Sequence, residues 1–335
     1  MTLRRPLVLL AAALACVAVV AACGDDEDDA PAAQAQSARL ILDWFPNPDH
    51  AGIYAAIDEG FFADEGVEVT PEVPSDPAAA LKRLAAGRAQ FAISYEPEVI
   101  LARAGGVPVV AVAALATRPL NSVIVRTDRG IQTAKDLEGK TVGAAGVPSD
   151  RPLLDAVVRS GGGDPSKVTM RNVGYSLSPA LAAGKVDAVV GAYWNIELVD
   201  LERQGLPVAA LRLDENGVPS YDELVVVTSD EVARDKPELV RAFLRGLRTG
   251  QDWAATDQTG AVEHLLAANE DLDPDTVAAQ LEATAEVLSP SDTPTLAVDP
   301  AEWGRFIEWM RDNGLLTAPV DVDAVVTDRF LPEVR

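Results

Sequence analysis

The sequence predicts an α/β molecule of two lobes, each built on a parallel sheet, joined by two extended crossings. Three observations carry this. Short apolar runs alternate with amphipathic stretches from Ala38 onward, the rhythm of strand–helix–strand units. That rhythm restarts after "ATRPLNSVIV" instead of continuing. Two non-helical crossings, near residues 117–123 and 218–226, let the chain leave a first lobe and return to it.

The first series reads as strand "ARLILD", helix "HAGIYAAIDEG", strand "VEVTPEV", helix "PAAALKRLAAG", strand "AQFAISY", helix "PEVILARAGG" and strand "VPVVAVAAL". In its first helix Ile53, Ala56, Ile57 and Phe61 recur at three- and four-residue spacing, which defines a buried face; Asp49 is placed to cap its start and Gly60 to end it. The second series runs through "DLEGKTVGAAG", a helix from about Ser149, "KVTMRNVG", a helix over "SPALAAG", "KVDAVVGAYW", a helix over "IELVDLERQG", and "PVAALRL". After "VPSYDELVVVT" four amphipathic helices follow, starting at "KPELVRAFLRG", "TGAVEHLLAANE", "PDTVAAQLEATAEVL" and "PAEWGRFIEWMRD". The expected division is a leader at 1–22, a tether at 23–37, lobe one at 38–118, lobe two at 119–222, and a mostly helical return to lobe one at 223–335.

The leader carries Arg4 and Arg5, then an apolar run through Val20 and "VAAC" ending at Cys23, the layout of a secretory signal too short to span a bilayer as a mature helix. The small residues before Cys23 resemble a bacterial lipobox, so Cys23 is the expected lipidation site, anchoring the protein to the outer face of the cytoplasmic membrane. Cys16 leaves with the leader, so neither a disulfide nor a catalytic thiol remains. "GDDEDDAPAAQAQS" has nothing with which to pack a core and reads as a flexible tether. The chain holds 28 Lys and Arg against 52 Asp and Glu, a net charge of −24, which excludes nucleic acid as a partner. The chain is expected to be a monomer.

In doubly wound sheets a ligand lies beyond the carboxyl ends of the strands. There the first lobe delivers Asp43, Trp44, Phe45, Pro46 and Asn47, followed by His50, and Ser94, Tyr95 and Glu96. The second delivers Gly146 and Ser149, Asn172 and Tyr175, then Tyr193, Trp194, Asn195 and Glu197; the second crossing adds Tyr221, Asp222 and Glu223. Only 5% of the chain is aromatic, yet four of its five tyrosines and two of its five tryptophans fall at these junctions. Flat faces with polar edges suit a heteroaromatic ring, stacked for about 0.5–1.5 kcal/mol per aromatic pair beyond area burial. Asp43, Asn47, Asn195 and Glu197 are placed to read ring nitrogens and an exocyclic amine, with specificity arising from the cost of leaving a buried polar group unpaired.

Other residues carry plainer readings. Phe45 is read as plugging the floor of lobe one, Trp303 and Trp309 as core packing, His264 as a surface residue and His50 as a capping or packing residue that also touches the ligand's edge. Two distant histidines and no remaining cysteine give no metal set of familiar spacing, and no GxSxG, HExxH or Walker motif is present. "GGGDP" follows a helix instead of opening one and reads as a turn. No cofactor, metal or catalytic residue is expected.

"LDWFPNPDHAGIYAA", "AISYEPEV", "GVPVVAVAAL", "PLNSVIV", "DLEGKTVG", "GKVDAVVGAYWNIE" and "GVPSYDELVVV", in order over about residues 40 to 330, resemble the family of ABC-importer binding proteins for thiamine pyrimidine precursors. The resemblance implies a type II periplasmic-binding-protein-like fold, an ABC permease as membrane partner and a ligand such as N-formyl-4-amino-5-aminomethyl-2-methylpyrimidine. Relatives assigned to riboflavin or its precursors leave that cargo as the alternative. Fungal pyrimidine synthases, a different class, share "DWFPNPDH"; they hold pyridoxal phosphate and iron and consume the histidine that matches His50. Their cysteine-rich iron segment is replaced here by "GVPSYDEL". Their glycine-rich phosphate site corresponds to "GAAGVPSDRP", where Asp150 opposes a phosphate and Arg151 is placed to offset it in part. An unphosphorylated ligand is expected, with Trp44 on one face of its ring and Trp194, Tyr193 or Tyr221 on the other.

Overall fold

The computed structural model describes residues 35–288 and 293–333; the expected leader, the tether up to residue 34 and Cys23 lie outside the described residues. The strands are β1 (Gln36–Ile41), β2 (Val67–Glu72), β3 (Phe91–Ser94), β4 (Val109–Ala116), β5 (Asn121–Arg126), β6 (Thr141–Ala144), β7 (Thr169–Asn172), β8 (Ala188–Tyr193), β9 (Val208–Arg212) and β10 (Leu224–Ser229). The helices are α1 (Ala51–Asp58), α2 (Phe61–Asp64), α3 (Ala80–Ala85), α4 (Glu96–Ala104), α5 (Asp150–Ser160), α6 (Leu177–Ala182) and α7 (Glu197–Arg203), then α8 (Asp230–Asp235), α9 (Pro237–Thr256), α10 (Gln258–Ala268), α11 (Pro274–Leu288), α12 (Pro300–Asp312) and α13 (Val322–Val325).

Two five-stranded sheets result, ordered β2-β1-β3-β10-β4 and β7-β6-β8-β5-β9. They are mixed, not wholly parallel. The strand that follows each crossing, β5 in one sheet and β10 in the other, is inserted antiparallel between two neighbours. A strand entering directly from the other lobe has no crossover helix to reverse it, so it arrives running against the rest. β1 begins at Gln36, so Gln36 and Ser37, assigned to the tether on composition, belong to the sheet, paired with Val67 and Glu68. Their polarity hid a strand whose first two residues are exposed.

Both faces of the first sheet are covered, and the period of two sorts its side chains. Leu40, Leu42, Phe91, Ile93, Val110 and Val112 pack with α1, α9 and α10. Ile41, Ala92, Val109 and Ala111 face the other way, into a core shared with α4, α12 and lobe two. Helix α1 is the element that positions the cleft corner, and it lies so tightly on α9 that a Cβ on Gly250 would stand 2.2 Å from the Gly52 carbonyl oxygen. Its start differs from the sequence reading. Asn47, not Asp49, caps the single 3-10 turn that leads into it, accepting from the Asp49 amide at 2.9 Å. Gly60 stops it in the left-handed conformation (φ 80°), as expected.

Glu223 ties the two crossings together. Its Oε2 accepts from the Leu120 and Asn121 amides, both at 2.9 Å, and from the Tyr221 hydroxyl at 2.9 Å, while the Tyr193 hydroxyl reaches Oε1 at 3.3 Å.

Candidate functional site

The strand ends bring two adjoining pockets between the lobes, which share Trp44, Tyr95, Gly191 and Tyr193. One continues past Asp43, Asn47 and Glu197, the other past Asn121, Ser149, Asp150, Tyr221 and Glu223. Eight of the residues expected at the ligand therefore meet: Asp43, Trp44, Asn47, Tyr95, Ser149, Tyr193, Glu197 and Tyr221. Each pocket holds only about 20 Å³, because the lobes are drawn together: Trp44 stands edge-on to Tyr175 at 4.6 Å.

Gly191, inside β8, was not singled out by sequence. It adopts φ +81°, its amide donates to Asn121 Oδ1 at 3.1 Å, and an added Cβ would come within 3.1 Å of Asp150 Oδ1. Only glycine leaves this wall flat.

The polar groups are held by one another. Asp43 Oδ1 accepts from His50 Nε2 at 2.8 Å and Oδ2 from the Tyr95 hydroxyl at 3.0 Å. His50, expected at the ligand's edge, is fully buried, lines neither pocket and reaches the cleft only through its bond to Asp43. Glu197 Oε2 accepts from the Tyr193 amide at 2.7 Å. Burial pushes the carboxyls of Glu197, Glu223 and Asp150 up to about 7, and that of Asp49 well above its usual range. No Lys or Arg lines either pocket. These two pockets thus gather carboxyls with no Lys or Arg among their lining residues, a setting unfavourable to anions.

Besides His50, three expected ligand residues are placed elsewhere. Trp194 lines neither pocket; its indole N–H donates to the Pro119 carbonyl at 3.2 Å and its face carries the Arg212 guanidinium at 4.4 Å. Asn195 crosses into lobe one, where its amide donates to Asp49 Oδ1 at 2.7 Å and Thr284 Oγ1 at 2.8 Å. Asp222 turns towards α12 and accepts from the Trp303 indole at 2.7 Å, which makes Trp303 a core residue as read. Phe45 corrects its reading in the other direction: it is 46% exposed and leans on Tyr175 at 4.9 Å instead of plugging the lobe. An apolar side chain at the tip of a corner gives no periodicity from which to tell inward from outward. His264 is held at the end of α1, 3.1 Å from Asp58 and 3.0 Å from Glu59.

The stretch matching a phosphate site is already filled. Asp150 Oδ2 accepts from the Gly146 and Val147 amides at 2.7 and 3.0 Å, the donors an anion would need. Arg151 does not offset it; the guanidinium is turned to the Pro165 and Val168 carbonyls and to Asp155. Nor do the described residues contain a group of three or more His, Cys, Asp or Glu placed to hold a metal ion. Among the described residues, the stretch matching the phosphate site does not fit pyridoxal phosphate, because Asp150 holds the amides its phosphate would need.

Two mixed α/β lobes closing on a cleft at their strand ends define a protein of the periplasmic-binding-protein fold class. The alkanesulfonate-binding protein of Xanthomonas axonopodis pv. citri, solved with MOPS, shares that fold with a TM-score of 0.71 at 18% identity, over 88% of this chain and 99% of that one. The chain belongs to the NMT1/THI5-like family, whose model matches residues 47–261. It is 33% identical over 300 residues to the formylaminopyrimidine-binding protein of Halalkalibacterium halodurans, covering 88% of this chain and 91% of the relative. It is 25% identical over 297 residues to a 4-amino-5-hydroxymethyl-2-methylpyrimidine phosphate synthase of Legionella pneumophila, covering 88% and 92%.

Proposed function

We propose that the chain is the extracytoplasmic solute-binding receptor of an ABC importer and takes a thiamine pyrimidine precursor such as N-formyl-4-amino-5-aminomethyl-2-methylpyrimidine. The observation that carries this is the cleft itself: aromatic walls from Trp44 and Tyr193 beside Asp43, Glu197 and Glu223, with no cation among the lining residues. An aminopyrimidine offers a flat ring and N–H donors to match, whereas a sulfonate would meet uncompensated carboxylates. Of the lobe-two aromatics, Tyr193 is the one that shares both pockets with Trp44. The similarity to a formylaminopyrimidine-binding protein supports the same cargo.

The synthase relatives raise an enzymatic reading. Against it stand the occupied anion site at Asp150 and the engagement of His50 with Asp43. Lobe closure would present the loaded receptor to the permease as a monomer, with lipid on Cys23 holding it at the membrane.

A thermal-shift panel on protein truncated before Ala35 tests the reading, using the formylaminopyrimidine, hydroxymethylpyrimidine, riboflavin and an alkanesulfonate. A ligand at about 100 times its Kd adds about 2.7 kcal/mol to the folded state, which moves the melting point by several degrees. A shift with a pyrimidine and none with the sulfonate is expected. A response to riboflavin alone would move the cargo within the receptor class, and a sulfonate response would overturn the acid-cleft argument.

A further inference from the structure

Behind Tyr95, on the lobe-one side of the cleft, lies a cavity of about 210 Å³, far roomier than the two pockets that would take the ring. Its walls are mostly apolar: Leu81 of α3, Ile93 of β3, and Leu101 and Ala102 of α4, with Val107 beyond. It is not a separate void. Asp43 and Tyr95 line both this cavity and the ring pocket, so the two adjoin at these side chains. Lobe two supplies its cover, Val147 and Pro148, next to the 2.6 Å hydrogen bond from the Ser149 amide to Glu98. Apolar cavities of about 150 Å³ accept benzene. An apolar group lodged here would restore the dispersion contacts that the bare walls forgo, and would do so only when the lobes are closed.

We propose that this cavity is a second compartment of the cargo site, and that the chain takes aminopyrimidines whose side arm ends in an apolar group of benzene size as well as the short-armed parent. This rests on the receptor reading above. The polar groups agree with the assignment: Asp43 sits at the junction, and Lys82 and Glu98 are the remaining charged groups on the walls. The arm's polar linkage therefore stays near the acceptors while its end enters the apolar part.

The test is calorimetric titration of the N-formyl compound and its N-benzoyl counterpart into wild-type protein, Ala102→Leu and Ala78→Leu. Both substitutions add bulk to the cavity, and neither residue lines the ring pockets. Wild type is expected to bind the benzoyl compound at least as tightly as the formyl one. Each leucine variant should weaken the benzoyl compound by about tenfold or more and the formyl compound by less than about twofold. Wild-type binding of the formyl compound with rejection of the benzoyl one, or parallel loss of both in variants that melt as wild type, would overturn the compartment and leave the receptor reading standing. Failure of both compounds to bind wild type would remove the pyrimidine cargo and the compartment with it.

Discussion

Asp43 is the residue on which the cleft chemistry converges. Its two oxygens are oriented by the buried His50 and by Tyr95, which lines the cleft beside it, so it is presented to the cleft as a fixed acceptor. Hydrogen bonds to a charged group contribute about 1.5–3 kcal/mol, so Asp43→Asn should weaken aminopyrimidine binding by roughly 10- to 100-fold in calorimetry. An unchanged Kd would remove Asp43 from the ligand contacts. Removing the indole in Trp44→Ala should cost about tenfold or more through lost stacking and area, and a variant binding as wild type would sink the ring sandwich. Sequence made Asp43, Trp44, Tyr95, Tyr193 and Glu197 legible because strand ends in a doubly wound sheet converge. It could not separate Tyr193 from Trp194: neighbours at a strand end leave in different directions, and only the Pro119 carbonyl and Arg212 show which way the indole went. Asp150 was read as an obstacle to phosphate, and its bonds to the Gly146 and Val147 amides give the reason.

At the scale of elements, the cleft corner rides on α1, and α1 is held by its close approach to α9. A Cβ at Gly250 would stand 2.2 Å from the Gly52 carbonyl oxygen and 2.6 Å from the Ala56 Cβ, contacts that no side-chain rotation relieves. Gly250→Ala should therefore destabilise by about 2–3 kcal/mol in urea unfolding and, by shifting α1, also weaken ligand binding. Stability within about 0.5 kcal/mol of wild type would contradict the packing account. The crossings depend likewise on Glu223. Glu223→Ala strands the buried Leu120 and Asn121 amides and should cost about 2–4 kcal/mol, checked by the same unfolding measurement. Most strands and long helices were legible because their periods of two and near four are unbroken from Ala38 to Gly105 and again from Thr141. The antiparallel insertion of β5 and β10 was not, since strand direction depends on where the preceding chain comes from, and a short extended run looks the same either way. The short α2, α8 and α13 carry too few residues to show a period.

The whole molecule is acidic, and its closed cleft gathers carboxyls that burial pushes up to about 7 at Asp150, Glu197 and Glu223, with Asp222 raised likewise beside α12. A carboxyl whose folded pKa is raised binds its proton more tightly folded than unfolded. Its stabilising contribution is full below the ordinary carboxylate range and is lost as pH rises through about 7. The ligand-free protein should therefore melt highest near pH 5 and lower by several degrees at pH 8, measured by scanning calorimetry; a melting point that rises across that interval would contradict the burial of these groups. The exposed pairs whose carboxylates are depressed, such as Asp128 with Arg126, contribute little against this trend. The most direct test of the central claim is a crystal structure of the chain with N-formyl-4-amino-5-aminomethyl-2-methylpyrimidine. The ring should lie between Trp44 and Tyr193 with its N–H groups on Asp43 and Glu197, and Trp44 should have left Tyr175. A pyrimidine bound outside the cleft, or Trp44 still edge-on to Tyr175 with the ligand present, would contradict it.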